Sequence, residues 1–353
     1  MAPAPRIVVA DDSPFMRTVL GGALAAAGFE VVGTARDGDE ALAQCRATRP
    51  DAMTLDLAMP GLDGIGVLRA LKDSGAPDVP VIVVSAFSPA HGARAVDALA
   101  EGAFDLVPKP AVGEPFHTFT ENLAERLRQA VAQASTAPLV GNGGAVNGHA
   151  APAPAPAPRG AVPATGAPRA VVIAASTGGP RALAQLLPAL PARLGEGTLI
   201  VQHMPAGFTG SLAARLDRLS PLHVREAALG DQLDPGTALV APGGNHLRLD
   251  GARQARLTDE APIGGLRPRA DLTIADVAAG WGERTLLVVL TGMGRDGAQG
   301  ARAVRAAGGR IICEAAESCT VYGMPRAVVE DGLADLVLPL GELAQAIAAE
   351  AGA

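Results

Sequence analysis

Aromatic residues are scarce in this 353-residue chain, with one Trp, one Tyr and seven Phe making up 3% of it. Cores without rings must close on aliphatic packing, so Ala, Val, Leu and Ile carry the burial. Cysteine is scarce as well. Cys45, Cys313 and Cys319 are odd in number, scattered and without metal-ligand spacing. That pattern excludes a disulfide framework and favours a reducing compartment. No apolar run approaches the ~18 residues that a bilayer span needs. The opening MAPAPRIVVADDSP has one basic residue and an apolar run broken by two Asp. It does not read as a secretory signal, so a cytoplasmic protein is expected. Positive charge is also in deficit: 29 Lys and Arg face 36 Asp and Glu, a net −7, which argues against nonspecific nucleic-acid binding.

What is present is alternation. At about 150 residues per domain, the length suggests two domains. Residues 129–168 are mostly Ala, Pro and Gly, with an alternating APAPAPAP at 151–158 and no acidic residue. Such a stretch buries too little to fold and favours extended polyproline geometry, so it reads as a flexible linker. Before it, over 1–128, strand-like runs Arg6–Ala10, Glu30–Ala35, Ala52–Leu55, Val81–Ser85 and Phe104–Val107 alternate with amphipathic helical runs. After it, over 169–353, strands are expected at Ala170–Ala174, Thr198–Gln202, Ala238–Ala241, Leu247–Leu249, Thr285–Leu290 and Gly309–Cys313. Both halves imply an α/β fold with a doubly wound parallel sheet.

In such sheets ligands bind at the carboxyl ends of the strands. Asp11 and Asp12 follow Ile7–Ala10, Asp56 follows a second apolar run, Ser85 ends VIVVS, and Lys109 follows DLVP. Three carboxylates in one crevice repel unless a hard cation joins them, and Mg²⁺ is the natural partner. A Lys and a hydroxyl beside them suit an incoming phosphoryl group. Helix capping would account for Asp11 and Asp12 but leaves Asp56, Ser85 and Lys109 without a role.

The most informative stretch is Ala-Ser-Thr-Gly-Gly at 175–179, directly after the run Val171–Ala174. A strand ending at a Ser, then paired Gly, Pro180 and a helix-like segment presents a hydroxyl at a strand end and aims turn amides beside it. A serine nucleophile needs a base, and the base a carboxylate. His203 and His246 both follow strand-like runs. Asp296, in LTGMGRDG, is the leading acid, while Asp231, Asp271, Asp276 and Glu314 remain open. Helix capping is an alternative role for Ser176. A P-loop is disfavoured because no GK[ST] follows. The GxSxG elbow is absent too, since Ala174 replaces its first Gly.

The DD, D, S and K-P set over residues 6–125 resembles the receiver domain of two-component response regulators, of flavodoxin-like fold. That resemblance implies phosphorylation at Asp56. It implies Mg²⁺ on Asp12, Asp56 and the Ala58 carbonyl with Asp11 acting through water, and phosphoryl sensing by Ser85 and Lys109. Leu106 stands where many receivers carry an aromatic switch residue. AASTGGPRAL, IVQHMPAGFTGSLAARLD, APGGNHL, RPRADLTIADVA and LTGMGRDGAQG resemble the chemotaxis response-regulator protein-glutamate methylesterase/protein-glutamine glutaminase family, through essentially all of 170–347.

The second resemblance implies a larger Rossmann-like methylesterase domain. In it Ser176 is nucleophile, His203 general base, Asp296 its orienter and the Met293 backbone part of the oxyanion hole. Thr177, Gln202 and Arg181 are weaker candidates for site support, and His246 becomes structural or groove-lining. Implied too are no cofactor for hydrolysis, methyl-accepting chemotaxis receptors as substrate and a chemotaxis histidine kinase as phosphodonor. Two alternative functions are disfavoured. A DNA-binding output domain would be small and basic, and a silent docking protein would not keep Ser176, His203 and Asp296 together.

Overall fold

The structure is a computed structural model that describes residues 3–73, 79–86, 89–110, 115–136 and 167–352. They fall into two compact units, divided between Asn147 and Gly148. Most of the expected linker, 137–166, lies outside the described residues.

In the first unit, strands β1 (Arg6–Ala10), β2 (Glu30–Ala35), β3 (Ala52–Leu55), β4 (Val81–Ser85) and β5 (Asp105–Pro108) alternate with helices. These are α1 (Pro14–Ala26), α2 (Gly38–Thr48), α3 (Gly64–Asp73), α4 (Pro89–Glu101) and α5 (Phe116–Thr136). The sheet is parallel in the order β2-β1-β3-β4-β5, the flavodoxin-like arrangement. Continuous apolar runs make such strands because both faces are covered by helices, and Ile7, Val8, Val9, Ile82 and Val83 are all fully buried. Each contributes ~1.5–3 kcal/mol of burial. Ser13 caps α1 by accepting Met16 N at 3.4 Å, which leaves Asp11 and Asp12 free of that duty. Helix α5 continues past position 128 to Thr136, with Ala130 fully buried, so the expected linker start at 129 falls inside a helix.

The second unit is built from β6 (Ala170–Ala175), α6 (Gly179–Leu186), β7 (Gly197–Gln202), α7 (Thr209–Leu219), β8 (His223–Glu226) and β9 (Thr237–Val240). A hairpin follows, β10 (His246–Leu249) with β11 (Ala255–Thr258), then α8 (Ala270–Trp281), β12 (Thr285–Val289) and α9 (Ala298–Ala306). It closes with β13 (Arg310–Glu314), α10 (Met324–Glu330), β14 (Leu336–Leu338) and α11 (Leu340–Ala351). Seven parallel strands run β14-β13-β12-β6-β7-β9-β8. This is Rossmann-like, with strand order reversing direction between β6 and β12. Strand direction departs from expectation at one place: Leu247–Leu249 pairs antiparallel with β11 in a separate two-stranded sheet rather than joining the main one. Strands β8 and β11 mix polar and apolar residues over four positions each, and β14 is only three residues long, so none of them stands out as a run in the sequence.

The single Trp sits in this unit. Trp281 is buried, donates its indole N–H to Glu196, and lies under the Arg253 guanidinium at 4.5 Å. Aliphatic packing does the rest, with Ile173, Leu199, Val201, Leu287 and Val289 at zero exposure.

Candidate active site

Parallel register brings distant residues to one sheet edge. β6 and β7 pair Ala175 with Gln202, so Ser176 and His203 emerge side by side as the next residues. His203 N donates to the Ala175 carbonyl at 3.0 Å. Gln202 ties the two turns, its Nε2 donating to the Ser176 carbonyl at 2.9 Å and the His203 carbonyl at 3.0 Å. On the other side β12 pairs with β6, and Ser176 N donates to the Thr291 carbonyl at 3.0 Å. The loop from Thr291 to Gly297 therefore lies against Ser176. A Cβ on Gly292 would stand 2.8 Å from Ser176 Cβ and 2.4 Å from Met324 Sδ, so only glycine permits this approach.

Asp296 closes the cluster. Its Oδ2 accepts His203 Nε2 at 2.7 Å and Ala270 N at 2.7 Å. Its Oδ1 accepts Asp271 N at 2.9 Å and Gly297 N at 3.0 Å, with Arg269 Nε also at 2.9 Å. The side chains of His203 and Asp296 are 5% and 1% exposed. Burial alone would raise the Asp296 carboxyl, but the His203 ring and the amides opening α8 hold it well below the usual carboxylate range. With Nε2 committed to Asp296, His203 Nδ1 is buried and has no partner among the described residues.

Other residues sort themselves around this cluster. Asp271 caps α9, accepting Gly297 N and Gly300 N at 2.9 and 2.8 Å, while its own carboxyl is raised by burial and by Asp296. His246 is fully buried, accepting Arg269 N at 3.2 Å on Nδ1 with Nε2 3.3 Å from the Ala261 carbonyl. Asp231 and Asp276 are engaged elsewhere, by Arg225 and Arg248. Glu314 accepts the Thr291 amide at 2.8 Å. Met293 is partly exposed on the loop beside Ser176, and its amide meets no acceptor among the described residues. Thr177 is buried and its carbonyl accepts the Thr291 hydroxyl at 3.0 Å. Arg181 is exposed on the rim of a cleft of about 250 Å³ that is also lined by Gly178, Thr291, Ser318, Cys319 and Thr320. Arg269 and Thr291 lie within the RPRADLTIADVA and LTGMGRDGAQG stretches but are given no role by the sequence, because an arginine beside a proline and a threonine after a strand carry no chemical signal of their own.

The first unit gathers its acidic residues as expected. Asp11, Asp12 and Asp56 each bring a carboxylate oxygen within 4.8 Å of the others. Lys109 Nζ lies 2.8 Å from both Asp11 Oδ2 and Asp56 Oδ2. Burial by itself would lower Lys109, yet these two carboxylates hold its ammonium above the ordinary value; burial raises Asp11 against the pull of Lys109. Lys109 N donates to the Ser85 carbonyl at 2.8 Å, which sets Ser85 and Lys109 side by side. Ala58 follows in the same loop, its amide 3.3 Å from Asp56 Oδ1. Leu106 is buried in β5. Three convergent carboxylates with one ammonium between two of them fit a hard divalent cation.

An acidic crevice of this kind in one unit and a hydroxyl, imidazole and carboxylate in the other mark a response-regulator enzyme. Residues 7–119 match the response regulator receiver domain model and residues 171–347 the CheB methylesterase model. A protein-glutamate methylesterase/protein-glutamine glutaminase of Symbiobacterium thermophilum is 43% identical over 98% of this chain and 97% of its own. One from Myxococcus xanthus is 44% identical over 95% and 94%. The crystal structure of the Thermotoga maritima CheB methylesterase catalytic domain matches 51% of this chain and 97% of its own, with 42% identity and a TM-score of 0.50. The chain belongs to the protein-glutamate methylesterase/protein-glutamine glutaminase family, and it joins a receiver domain to a methylesterase domain.

Proposed function

We propose that this enzyme is a phosphorylation-activated serine hydrolase. It removes methyl groups from glutamyl methyl esters on methyl-accepting chemotaxis receptors, and deamidates receptor glutamines to glutamates. The observation that carries this reading is the 2.7 Å bond between His203 and Asp296 at a sheet edge shared with Ser176. Ser176 Oγ attacks the ester carbonyl carbon while His203 takes its proton. Because Nε2 faces Asp296, Nδ1 is the nitrogen left for that proton, the reverse of the common serine-protease assignment. The tetrahedral oxyanion forms where the Met293 amide can donate to it. Collapse breaks the ester C–O bond, and methanol leaves with the proton from His203. Water, deprotonated by the same nitrogen, then hydrolyses the acyl-enzyme. A glutamine follows the same route with ammonia leaving, so one site serves both reactions.

In the receiver, Asp56 is the phosphoacceptor and a chemotaxis histidine kinase the donor. Asp12, Asp56 and the Ala58 carbonyl would hold Mg²⁺, with Asp11 acting through water. The ion would supply charge neutralisation for the phosphoryl group; hydrolysis in the second unit needs no cofactor. Lys109 and Ser85 meet the phosphoryl oxygens. Lys109 would exchange a carboxylate partner for the new anion. The domains are a receiver ending with α5, a linker, and a catalytic domain over 169–353, working in the cytoplasm. Among the described residues no helix is long and apolar enough to cross a membrane.

The unphosphorylated receiver restrains the catalytic domain, and phosphorylation shifts the population to a released form. The linker keeps the receiver at high effective concentration, so restraint is reversible. Methanol release from methylated receptor membranes tests the chemistry: Ser176→Ala should lose on the order of 10⁶ in kcat. Comparing the full chain with and without phosphodonor against the 169–353 fragment tests the restraint, which is wrong if the fragment is no faster than the unphosphorylated whole.

A further inference from the structure

Strand pairing fixes Ser176 and His203 only as far as the sheet reaches. Ala175 pairs with Gln202, and His203 N still donates to the Ala175 carbonyl. Each chain then turns away, one into α6 and the other into α7. A side chain ties the two turns together. Gln202 is 2% exposed, and its Nε2 donates to the Ser176 carbonyl at 2.9 Å and to the His203 carbonyl at 3.0 Å. The Ser176 carbonyl also receives Gly179 N at 2.8 Å. One amide thus joins the turn that opens α6 to the loop that leads to α7.

The donor count leaves one orientation for this amide. Its inner end faces two carbonyl oxygens, which accept and cannot donate, so that end is the NH2 and both of its hydrogens are used. The opposite end, Oε1, is buried with no partner among the described residues. A buried acceptor left unpaired is destabilising, and an apolar side chain of the same length would carry no such oxygen. Holding the two carbonyls is therefore what the glutamine does here that a hydrophobic residue cannot. Those carbonyls belong to the two residues that must exchange a proton. Ser176 Oγ has to reach His203 Nδ1, the nitrogen turned away from Asp296. Displacing one reacting group from another by about 1 Å can cost ~10²-fold in rate. Asp296 fixes the His203 ring and Thr291 O holds Ser176 N, but of these bonds only the Gln202 amide links the Ser176 turn directly to the His203 turn.

We propose that Gln202 is a positioning residue: its side-chain amide clips the Ser176 turn to the His203 turn and so sets the approach of nucleophile and base. Its role in turnover rests on the hydrolase reading; the clip itself does not. The test uses the full chain and two variants. Gln202→Met keeps the length and loses both donors, so kcat for methanol release from methylated receptor membranes should fall roughly 10²-fold. KM should stay within about twofold of wild type, because the side chain is buried and both donors go to the protein. Gln202→Glu keeps the shape, with one donor for two carbonyls when protonated and none when ionised. Its kcat, relative to wild type at the same pH, should be higher at about pH 6 than at about pH 8. Hydrogen exchange over Ser176–Gly179 should quicken on the order of tenfold in Gln202→Met. The proposal is overturned by a Gln202→Met kcat within about threefold of wild type, by unchanged exchange, or by an equal loss in Gln202→Glu at both pH values. If Gln202→Met does not fold, the pH contrast in Gln202→Glu decides. A wild type that releases no methanol removes the hydrolase reading instead, and the exchange result alone then decides the clip.

Discussion

At the residue scale, one carboxylate decides the electrostatics of the candidate site. Asp296 is almost wholly buried, yet three backbone amides, His203 and Arg269 converge on it. Charge-assisted hydrogen bonds of ~1.5–3 kcal/mol each offset the desolvation of a single anion. Its depressed pKa fixes a sign. Stability from the ionised form is present above 3.8, the ordinary value, and is lost as pH falls through the lower folded value. Chemical denaturation of wild type and Asp296→Asn should therefore show a stability gap at pH 7 that narrows below 3.8. The same variant should lose about 10⁴-fold in kcat, because an amide does not hold the imidazole tautomer as a carboxylate does. Activity in that variant near the wild-type level would remove Asp296 from the mechanism.

Between elements, α8 and α9 exchange caps. Amides of Ala270 and Asp271 at the start of α8 hold Asp296, which precedes α9, while Asp271 holds Gly297 N and Gly300 N at the start of α9. Each helix N-terminus is satisfied by the acid of the other, so the loop carrying Asp296 is placed by two helices at once. Asp271→Ala should cost ~1–2 kcal/mol of stability, read as a lower melting temperature, and should reduce kcat as well because Asp296 loses its frame. The second glycine of consequence is Gly178, at φ +82° with Thr320 where a Cβ would go, 2.4 Å away. A left-handed alanine there costs roughly 1–2 kcal/mol before the clash is counted. Gly178→Ala should thus unfold at lower temperature and disturb the turn that follows Ser176.

Over the whole molecule, two sheets of one style do different work because their strand ends carry different side chains. The receiver's sheet ends in three carboxylates and a lysine, the catalytic sheet in a hydroxyl, an imidazole and a carboxylate. Asp56→Asn in the full chain should leave the basal esterase rate intact and abolish its rise on addition of phosphodonor. Domain limits yield a further check. Since α5 runs to Thr136 and buries Ala130, a receiver fragment ending at 136 should melt higher than one ending at 128.

Much of this was determined by local sequence. Apolar runs of four to six residues placed β1, β3, β4, β6 and β7 to within a residue, since a doubly covered parallel strand leaves an aliphatic run. The residues that follow such runs made Asp11, Asp12, Asp56, Ser85 and Lys109 candidates for one crevice, and Ser176, His203 and Asp296 leading candidates for another. Tertiary structure alone decided the rest. Strand register put Ser176 beside His203, and the 2.7 Å bond from His203 separated Asp296 from the other acids left open in the sequence. Those outcomes depend on which backbone amides and which empty spaces meet across the fold, and no local pattern of residues encodes a contact made a hundred positions away.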